Sequence, residues 1–531
     1  MLRKMRKNRP RKKNRIKGYV KTYISGFIRA FVIALLLLAQ FGLVFLLSYY
    51  LASAVYIYFA MEFFGVFAVI GLVNQRTNAS FKIGWLVIIT LVPIAGFIMY
   101  FLWGANRSAR INKRNMTYIK YGYKFLEPDD DVRKEYSNCY NKESNAVNYL
   151  ENCHFPLFAN NSFEYFSFGE DAFDAIIEDL EKAEKFIFLE FFIVADGELW
   201  KKIKTILIEK ARQGVEIKFL YDDYGSMFRT SKQLWQELKD EGIEVEEFNS
   251  IGKYLDKLYL NYRSHQKIVV IDGKVGYTGG FNLADEYVNA VERFGKWKDT
   301  GVRIEGDGVF GLTAIFLQMW TMTTEKLIED YNAYKISERN EIEELKDLRT
   351  GFCQSIADGP CNNPENPIAD TILQLIYSAS KYLYITTPYL ILDDDINEAL
   401  AISAKRGTDV RIITPGIPDK KIVNMITKHS YGYLLKNGVK IYEYTPGFIH
   451  AKTIVTDECS LVGTINMDYR SLFIHYECGA LMWDDSLRDD IKADILDTIG
   501  VCHEVTYDEW KHRPALTKLM QNFFALFSSL M

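Results

Sequence analysis

Cysteine is scarce in this chain, and the seven cysteines form no pattern that binds a metal. No two make a CxxC pair, and none has a histidine partner at the spacing of a zinc site. Scattered thiols are typical of buried or incidental cysteines, and they favour a reducing compartment for the globular part. No group of Asp, Glu and His has metal-ligand spacing, and no Gly-rich loop would cradle a nucleoside triphosphate. We therefore expect neither a metal nor another cofactor.

Acidic residues are absent from the beginning of the chain. The stretch Met1–Lys21 carries eleven Lys and Arg residues and no Asp or Glu, although the whole chain has a net charge of −4. A basic arm can bind nucleic acid, or it can lie against anionic lipid headgroups beside a membrane span. The apolar run that follows favours the second interpretation. We therefore expect residues 1–26 to form a cytoplasmic arm, with no nucleic acid as partner.

The apolar run Phe27–Val73 contains only two charged residues, Arg29 and Glu62. Because about 20 apolar residues cross a bilayer once, we expect two spans, near Phe31–Leu51 and Ser53–Val73. No small-residue cleavage site follows a short apolar core, so a removed signal peptide is not expected. Glu62 would lie in mid-span, where a carboxyl group is a functional candidate, unless the boundary of the span lies elsewhere.

A third apolar run, Ile83–Trp103, makes the number of crossings two or three within residues 27–105. The basic N-terminus argues for an inside start, and three full crossings would place the rest of the chain outside. Four cations in the stretch Arg107–Arg114 argue instead that the rest lies inside. Pro93 and Gly96 could resolve the conflict by breaking the run into a re-entrant hairpin. We expect an integral membrane protein whose globular part is cytoplasmic, although the sequence leaves this side open.

The most informative motif is H-x-K-x4-D, which occurs twice and each time precedes a small-residue turn and an Asn. The copies are His265, Lys267 and Asp272 with Asn282, and His450, Lys452 and Asp457 with Asn466. His and Lys two apart on a strand project from the same face. The apolar residues between Lys and Asp are typical of buried strands. Each strand can therefore present an imidazole and an ammonium group together, the pair that attacks and neutralises a phosphodiester.

Other residues repeat at similar distances, which indicates an internal duplication. Separations of 185 to 196 positions relate the two motif histidines, Lys185 and Lys381, Gly214 and Gly407, and Gly242 and Gly438. Both copies also contain a strand–helix–strand pattern. We therefore expect an α/β fold with two similar halves, residues 161–325 and 353–515.

The segments around the two halves have weaker signals. Residues 106–160 are expected to form a linker, and the charged segment 326–352 is expected to be a solvated linker helix between the halves. Residues 516–531 are apolar and amphipathic, which predicts a C-terminal helix. An ordinary core helix is one interpretation of this segment, and a helix that lies on the bilayer beside the functional site is the other.

These motifs resemble those of the phospholipase D superfamily, in which H-x-K-x4-D occurs twice per active site. Within it the chain is similar to bacterial cardiolipin synthases, from the segment near Phe81 to about Trp510. Further matching segments are LEFFIVADGE (Leu189–Glu198), GGFNLADEY (Gly279–Tyr287), KWKDT (Lys296–Thr300), TTPYLILDDDI (Thr386–Ile396) and NMDYRSLFIHYECG (Asn466–Gly479). The resemblance implies two duplicated phospholipase D-like halves that form one catalytic unit, preceded by N-terminal transmembrane helices. One departure is the turn after Asp457, which is one residue shorter than the turn after Asp272, and we expect the difference at its tip.

Transfer of a phosphodiester needs a nucleophile, an acid for the leaving alkoxide, and positive charge around the phosphoryl oxygens. Two histidines can divide the first two roles, and the sequence alone does not tell them apart. The resemblance implies His265 as the nucleophile that forms a phosphohistidine and His450 as the acid and base. Lys267 and Lys452 would hold the phosphoryl oxygens, and the asparagines that follow the motifs would add neutral donors.

The acidic residues near the motifs have less direct interpretations. Asp272 and Asp457 would point away from the His/Lys face; they either support the site, as the resemblance implies, or close a turn at a strand end. Glu286 and Glu477 are expected to pair with the opposite histidines and set their tautomers, or else to be solvated carboxylates. The other histidines lack repeat support and are interpreted as structural or surface residues: His154, His429, His475, His503 and His512.

The motifs indicate phosphodiester transfer, and the apolar segments favour a lipid ester. With the resemblance, they imply a cardiolipin synthase that transfers a phosphatidyl group from one phosphatidylglycerol to another and releases glycerol. Phosphatidylethanolamine stays open as donor or acceptor, and the oligomeric state is not indicated. A membrane phospholipase D that releases phosphatidic acid and a catalytically silent scaffold are the alternatives. A nuclease fits less well, because the globular part is acidic and would oppose a phosphate polyanion.

Overall fold

The computed structural model describes residues 35, 38–43, 45–46, 51–75, 79–100, 109–140, 144–250, 262–335, 351–362 and 365–528. The basic arm 1–26, most of the expected span Phe31–Leu51 and residues 336–350 of the expected linker helix lie outside the described residues. The strands are β1 Phe158–Phe166, β2 Phe186–Phe191, β3 Glu216–Asp222, β4 Glu244–Phe248, β5 Ile268–Ile271, β6 Val275–Gly279, β7 Lys296–Lys298, β8 Gly301–Gly306, β9 Gly351–Asp358, β10 Tyr382–Thr386, β11 Leu390–Ile391, β12 Asp409–Pro415, β13 Lys440–Tyr444, β14 Gly447–Ile449, β15 Thr453–Thr456, β16 Ser460–Gly463, β17 Met467–Asp468, β18 Glu477–Trp483 and β19 Cys502–Val505.

The helices alternate with these strands in both halves and also precede and follow them. The α-helices are Leu51–Val73, Ala79–Leu91, Pro93–Met99, Ala109–Tyr123, Asp130–Tyr140, Asn145–Asn152, Gly169–Lys182, Glu198–Arg212, Asp223–Ser226, Lys232–Asp240, Val309–Thr324, Pro367–Ser378, Asp394–Lys405, Lys421–Lys436, Tyr469–Phe473, Asp485–Ile499, Tyr507–Lys511 and Ala515–Ala525. Among the described residues, two short 3₁₀-helices cover Asp285–Val288 and Tyr331–Tyr334.

Fifteen strands form one continuous sheet, in the order β19-β13-β12-β10-β15-β16-β18-β9-β1-β8-β6-β5-β2-β3-β4. The central pair, β1 and β9, is antiparallel and joins the two halves. Read outwards from this pair, one side runs β8, β6, β5, β2, β3, β4 and the other runs β18, β16, β15, β10, β12, β13. Strands at the same place in the two sequence copies therefore take the same place in the sheet. The predicted duplication of α/β halves is confirmed.

Each half contains the predicted strand–helix–strand unit. Strands β2 and β3 are parallel and joined by helix Glu198–Arg212, and β10 and β12 are parallel and joined by helix Asp394–Lys405. Glycine follows the end of both helices: Gly214 has a φ of 92° and Gly407 a φ of 102°. This left-handed conformation is easiest for a residue without a Cβ. These glycines recur in the sequence because both helices end in the same kind of turn.

Strands β5 and β15, which lie between the Lys and the Asp of the two motifs, are inside their halves, and all of their residues are buried. Strand β5 reaches β6 through a three-residue loop, since Ile271 pairs with Val275. Strand β15 reaches β16 through a two-residue loop, since the amide of Thr456 donates to the carbonyl oxygen of Cys459 over 2.9 Å. The shorter second turn therefore differs at its tip, as predicted.

The third apolar run is broken into helices Ala79–Leu91 and Pro93–Met99. Proline has no N–H to continue the preceding helix, and it restricts the residue before it. A Cβ on Gly96 would lie 2.6 Å from the carbonyl oxygen of Ile88, whereas eight residues of straight helix span about 12 Å. The chain therefore folds back at this point. Within the described ranges, no helix combines the length and the apolar character that a membrane crossing requires.

Residues 106–160, which were expected to be a linker, contain three helices and the first residues of β1. Val147 and Leu150 are buried in the same apolar cluster as Phe352 of the central strand β9. Most of this segment therefore packs as part of the globular core.

The C-terminal segment forms a helix, Ala515–Ala525, as expected. Most of its large apolar residues face away from the protein: Leu516, Leu519 and Phe523 are exposed, Phe524 is half-buried, and Gln521 is the buried residue of the helix. The interpretation of this segment as an ordinary core helix is therefore wrong.

Candidate active site

Both duplicated motifs reach one pocket between the two halves. The pocket has a volume of about 700 Å³, and its lining includes both motif histidines and both asparagines that follow the motifs: His265, His450, Asn282 and Asn466. The histidines lie just before strands β5 and β15 rather than within them. Their backbone N–H groups donate to carbonyl oxygens of the opposite half, those of Tyr476 and Lys298, over 2.8 and 2.7 Å. The motif residues are therefore fixed by contacts between the halves.

A carboxylate of the second half holds His265. Its Nδ1 lies 2.9 Å from Oε2 of Glu477, whose side chain is fully buried at the start of β18. The hydroxyl of Thr464 donates to the same carboxylate oxygen over 2.5 Å. Glu477 thus lies against the opposite histidine, where the sequence predicted it.

A different residue from the one predicted holds His450. Its Nδ1 lies 2.6 Å from Oδ2 of Asp299 in the first half, and Asp299 is fully buried. The predicted partner, Glu286, lies on a 3₁₀-helix and instead binds Arg229 at 2.5 Å and Arg293 at 2.8 Å. The expectation that Glu286 pairs with the opposite histidine is therefore wrong, because these two guanidinium groups compete for its carboxylate.

The equivalence of Asp299 and Glu477 is visible once the strands are aligned. Asp299 lies two residues before Gly301 of β8, and Glu477 lies two residues before Gly479 of β18. These glycines pair with the glycines at the ends of β6 and β16. Asp299 is part of the KWKDT segment, which matches the family pattern. Glu286 was predicted instead because it follows Asn282 closely along the chain.

The motif lysines are buried beside their histidines, with Lys267 1 % and Lys452 3 % exposed. The Nζ atom of Lys267 donates to the carbonyl oxygen of His265 over 2.6 Å, and Nζ of Lys452 lies 2.7 Å from Nδ1 of His450. Burial lowers the pKa of Lys267 to about 8 and that of Lys452 to about 7. A phosphoryl anion in the pocket favours the charged form of both lysines. They are therefore suited to binding phosphoryl oxygens.

Both histidines are buried in a way that keeps them neutral. Burial lowers the pKa of His265 well below its usual range, and the neighbouring Lys267 lowers it further. Burial and then Lys452 lower the pKa of His450 to about 4, against the opposing effect of Asp299. Each Nδ1 faces a carboxylate, which favours the Nδ1–H tautomer and leaves Nε2 its lone pair. At His450, where Nζ of Lys452 also lies 2.7 Å from Nδ1, the negative charge of the closer Asp299 favours the same tautomer. A neutral imidazole of this kind can attack phosphorus or accept a proton.

The asparagines after the motifs differ in their contacts. Oδ1 of Asn282 accepts from the backbone N–H of Ile193 over 2.9 Å, and its Nδ2 donates to the hydroxyl of Tyr287 over 2.7 Å. Oδ1 of Asn466 is buried and has no hydrogen-bond partner among the described residues. Both amides line the pocket, and Asn282 is the more firmly oriented of the two.

The motif aspartates lie away from the pocket, at the ends of β5 and β15. The carboxylate of Asp272 accepts from the backbone N–H groups of Glu184, Lys185 and Phe186 over 2.8, 2.7 and 2.8 Å. Asp457 accepts from Ser380 and Lys381 over 2.8 and 3.1 Å. Each aspartate thus ties the strand of its own motif, β5 or β15, to the start of the neighbouring strand, β2 or β10.

His475, which was expected to be a structural or surface residue, belongs to the site. Its ring centre lies 5.8 Å from that of His265, its Nδ1 lies 3.9 Å from Oε1 of Glu477, and its Nε2 lies 3.3 Å from Arg470. The equivalent residue of the first half is Trp297, whose ring lies 5.4 Å from that of His450. The repeat could not reveal His475, because its counterpart has no chemistry in common with it.

The same three side chains have the chemistry of metal ligands. Possible ligand atoms of His265, His475 and Glu477 lie within 4.8 Å of one another. Among the described residues, this is the one cluster of three or more His, Cys, Asp or Glu side chains that is compact enough to hold a metal ion. Of these three, His265 and Glu477 are hydrogen-bonded to each other, whereas Nδ1 of His475 stays 3.9 Å from the carboxylate.

Two histidines that line one pocket, each beside a buried lysine and each held by a carboxylate of the opposite half, define a phospholipase D-like site for phosphodiester transfer. A family model described as "Cardiolipin synthase, PLD-like domain" matches residues 176–305 and 372–497, one match within each half. A second model, "Phospholipase D-nuclease N-terminal", matches residues 63–104.

Relatives of the whole chain agree with these matches. A cardiolipin synthase of Geobacillus sp. (strain WCH70) is 34% identical over 87% of this chain and 91% of the relative. Cardiolipin synthase 2 of Bacillus anthracis is 33% identical over 89% of this chain and 91% of the relative. An uncharacterised protein of Streptococcus mutans is 38% identical over 85% of this chain and 97% of the relative. The chain belongs to the cardiolipin synthase family of phospholipase D-like proteins.

A solved structure supports the fold. Phosphatidylserine synthase of Haemophilus influenzae Rd KW20 superimposes with a TM-score of 0.55 at 14% sequence identity, covering 73% of this chain and all of that protein. At this identity the likeness concerns the architecture, and the duplicated α/β arrangement is common to both chains.

Proposed function

We propose that this protein makes cardiolipin by moving a phosphatidyl group from one phosphatidylglycerol to another, with glycerol as the second product. The observation that carries the proposal is the crossed pairing of His265 with Glu477 and His450 with Asp299. It gives two neutral imidazoles with fixed tautomers in one pocket, beside two lysines. The family relationship supports the choice of lipid substrates.

In the first step, Nε2 of His265 attacks phosphorus of the donor, and the bond from phosphorus to the glycerol oxygen breaks. His450 protonates the leaving alkoxide; the bound phosphodiester anion raises the pKa of this histidine, so that it can carry the proton. Lys267 and Lys452 stabilise the charge on the phosphoryl oxygens. The products of this step are a phosphatidyl-histidine and glycerol.

In the second step, a hydroxyl of another phosphatidylglycerol enters the pocket. His450, neutral after the first step, removes the proton of this hydroxyl as its oxygen attacks phosphorus. The bond from phosphorus to Nε2 of His265 breaks, which gives cardiolipin and restores both histidines. His450 donates one proton to the leaving alkoxide in the first step and regains one proton from the incoming hydroxyl in the second.

The proposal places the N-terminal region in the bacterial cell membrane as a multi-pass anchor, with the catalytic part on the cytoplasmic side. The apolar run Phe27–Val73 and the cations in Arg107–Arg114 support this orientation. The exposed apolar residues Phe59 and Phe63 of helix Leu51–Val73 also fit a lipid environment. Protease protection of the globular part in sealed, intact cells, with cleavage after lysis, is the expected result.

The deciding experiment supplies the purified full-length protein with phosphatidylglycerol vesicles and measures cardiolipin, glycerol and phosphatidic acid. The wild type, His265→Ala and His450→Ala are compared. Cardiolipin and glycerol in equal amounts, lost in both variants, are expected. Phosphatidic acid as the main product would show a hydrolase instead, and the absence of any product with phosphatidylglycerol or phosphatidylethanolamine would favour the scaffold.

A further inference from the structure

The C-terminal helix Ala515–Ala525 has the opposite orientation from an ordinary amphipathic surface helix. Its buried residue is polar: Gln521 is 2 % exposed. Leu516, Leu519 and Phe523 are 70 %, 64 % and 49 % exposed. A surface helix of a soluble protein normally turns its apolar stripe towards the core. Here the stripe faces away from the protein, so it fits an apolar surface that the chain itself does not supply.

The exposed apolar residues form one continuous stripe. Leu516, Leu519, Phe523 and Leu526 follow one another at intervals of three and four positions, the spacing of one helix face. Leu526, just after the helix, is 43 % exposed. These four residues are called the apolar stripe below.

The direction of the apolar stripe is fixed by contacts on the other side of the helix. The helix packs against helix Lys421–Lys436. Just before it, the indole N–H of Trp510 donates to the carbonyl oxygen of Lys428 over 2.7 Å, and the guanidinium of Arg513 lies 3.8 Å from the centre of the Trp510 ring. The C-terminal helix is thus attached to the second half of the chain, and its apolar stripe cannot turn inwards without breaking these contacts.

The apolar stripe is close to the active site. Ser528, two residues beyond Leu526, lines the catalytic pocket together with Lys420 and Val423. Helix Lys421–Lys436, which supports the C-terminal helix, begins next to this part of the pocket wall. A surface that binds the apolar stripe is therefore brought beside the pocket.

The charge of this segment indicates which surface it binds. The stretch Lys511–Met531 contains three cations, Lys511, Arg513 and Lys518, and no acidic residue, whereas the whole chain has a net charge of −4. Apolar side chains flanked by cations fit a bilayer that contains anionic lipids. Two copies of the chain docked through this same surface would instead bring like charges together.

We propose that the apolar stripe docks on the surface of a bilayer that contains anionic phospholipid and so holds the catalytic pocket at the level of the lipid headgroups. The proposal rests on the proposed function in one respect, since it takes the substrate to be a lipid of that bilayer. It concerns a separate surface, however, and its tests can be read independently.

The first test identifies what touches the apolar stripe. A benzophenone amino acid replaces Leu519 in the full-length protein, which is reconstituted into vesicles of phosphatidylcholine and phosphatidylglycerol and irradiated. Thr517, exposed on the same helix but off the stripe, is the matched control position. A mass gain of one phospholipid at position 519 and not at 517 is expected. A covalent dimer through position 519, or no lipid adduct there, would overturn the proposal.

The second test separates docking from chemistry. The double variant Leu519→Glu, Phe523→Glu is compared with Thr517→Glu on long-chain phosphatidylglycerol vesicles and on monomeric dihexanoyl phosphatidylglycerol. We expect the double variant to lose about tenfold or more of the vesicle rate and to keep the monomer rate, while Thr517→Glu keeps both. Equal losses on both substrates would contradict a docking role. If the wild type formed no cardiolipin, the proposed function would fail, and the lipid adduct at position 519 would still decide this inference.

Discussion

Nδ1 of His450 lies 2.6 Å from Oδ2 of Asp299, a residue of the other half of the chain. This hydrogen bond fixes the imidazole with its proton on Nδ1 and leaves Nε2 towards the pocket. The equivalent hydrogen bond joins His265 of the first half to Glu477 of the second half. Each half therefore orients the histidine of the other.

Replacing Asp299 by Asn is expected to lower kcat about a hundredfold to ten-thousandfold, because the amide no longer enforces the correct tautomer of His450. Steady-state cardiolipin formation measures the effect. Glu286→Gln is the matched control and should change kcat by less than about threefold, since Glu286 binds Arg229 and Arg293 instead of the histidine. The reverse order of the two losses would restore Glu286 as the partner of His450.

His265 is expected to carry the covalent intermediate. With a phosphatidyl donor that has a nitrophenol leaving group, which needs no acid, His450→Ala should accumulate a phosphatidyl-histidine because it lacks the base for the second step. His265→Ala should form no adduct. Peptide mass spectrometry locates the modified residue. An adduct on His450 in the His265→Ala protein would exchange the two roles.

The rate should fall on the alkaline side at an unusually low pH for lysine. In the free enzyme burial lowers the pKa of Lys452 to about 7 and of Lys267 to about 8. A lowered pKa means that the ammonium charge is lost above that pH, so kcat/KM should decline between about pH 7 and pH 8 rather than near 10.5. Lys452→Arg should move this decline to higher pH, with a lower maximum because the guanidinium fits the pocket differently. A pH profile of kcat/KM that is flat to pH 10 would show that both lysines stay charged.

His475→Ala is expected to lower kcat about tenfold without unfolding the protein, because it removes the ring that packs beside His265 and faces Glu477. The exposed His503, which binds Glu509 away from the pocket, is the control. His503→Ala should keep full activity. Equal activity of the wild type and His475→Ala would limit His475 to lining the pocket.

Asp272→Ala is expected to lower the free energy of unfolding by about 2–4 kcal/mol, since three backbone N–H groups lose a charged acceptor. Asp457→Ala should cost less, because only two amides donate to that carboxylate. Denaturant unfolding of the purified protein measures both losses. The activity of the protein that remains folded should be nearly unchanged; a large fall in kcat with unchanged stability would instead give the aspartates a direct role in catalysis.

Much of the fold could be predicted from the repeat itself. Gly214 and Gly407 recur because both helices end in the same left-handed turn, and the two motifs recur because β5 and β15 occupy equivalent buried places. Asp299 was missed because its equivalence with Glu477 depends on strand register rather than on distance along the chain from an asparagine. His475 was missed because its counterpart at the equivalent position is Trp297, so the repeat carries no shared chemistry that would mark it.

The C-terminal helix shows another limit of sequence periodicity. The spacing of Leu516, Leu519 and Phe523 indicates an apolar stripe, but a stripe has the same spacing whether it faces a core or a lipid. Only the packing of the helix on Lys421–Lys436 determines its direction.

The continuous sheet through β1 and β9 also affects how the two halves can diverge. In a symmetric dimer of identical chains, every substitution near one site appears at the other as well. Here a single chain contains both copies, so Trp297 can sit beside one histidine while His475 sits beside the other. Joining the copies thus allows the surroundings of the two histidines to differ in sequence, a difference that two identical unfused chains could not encode.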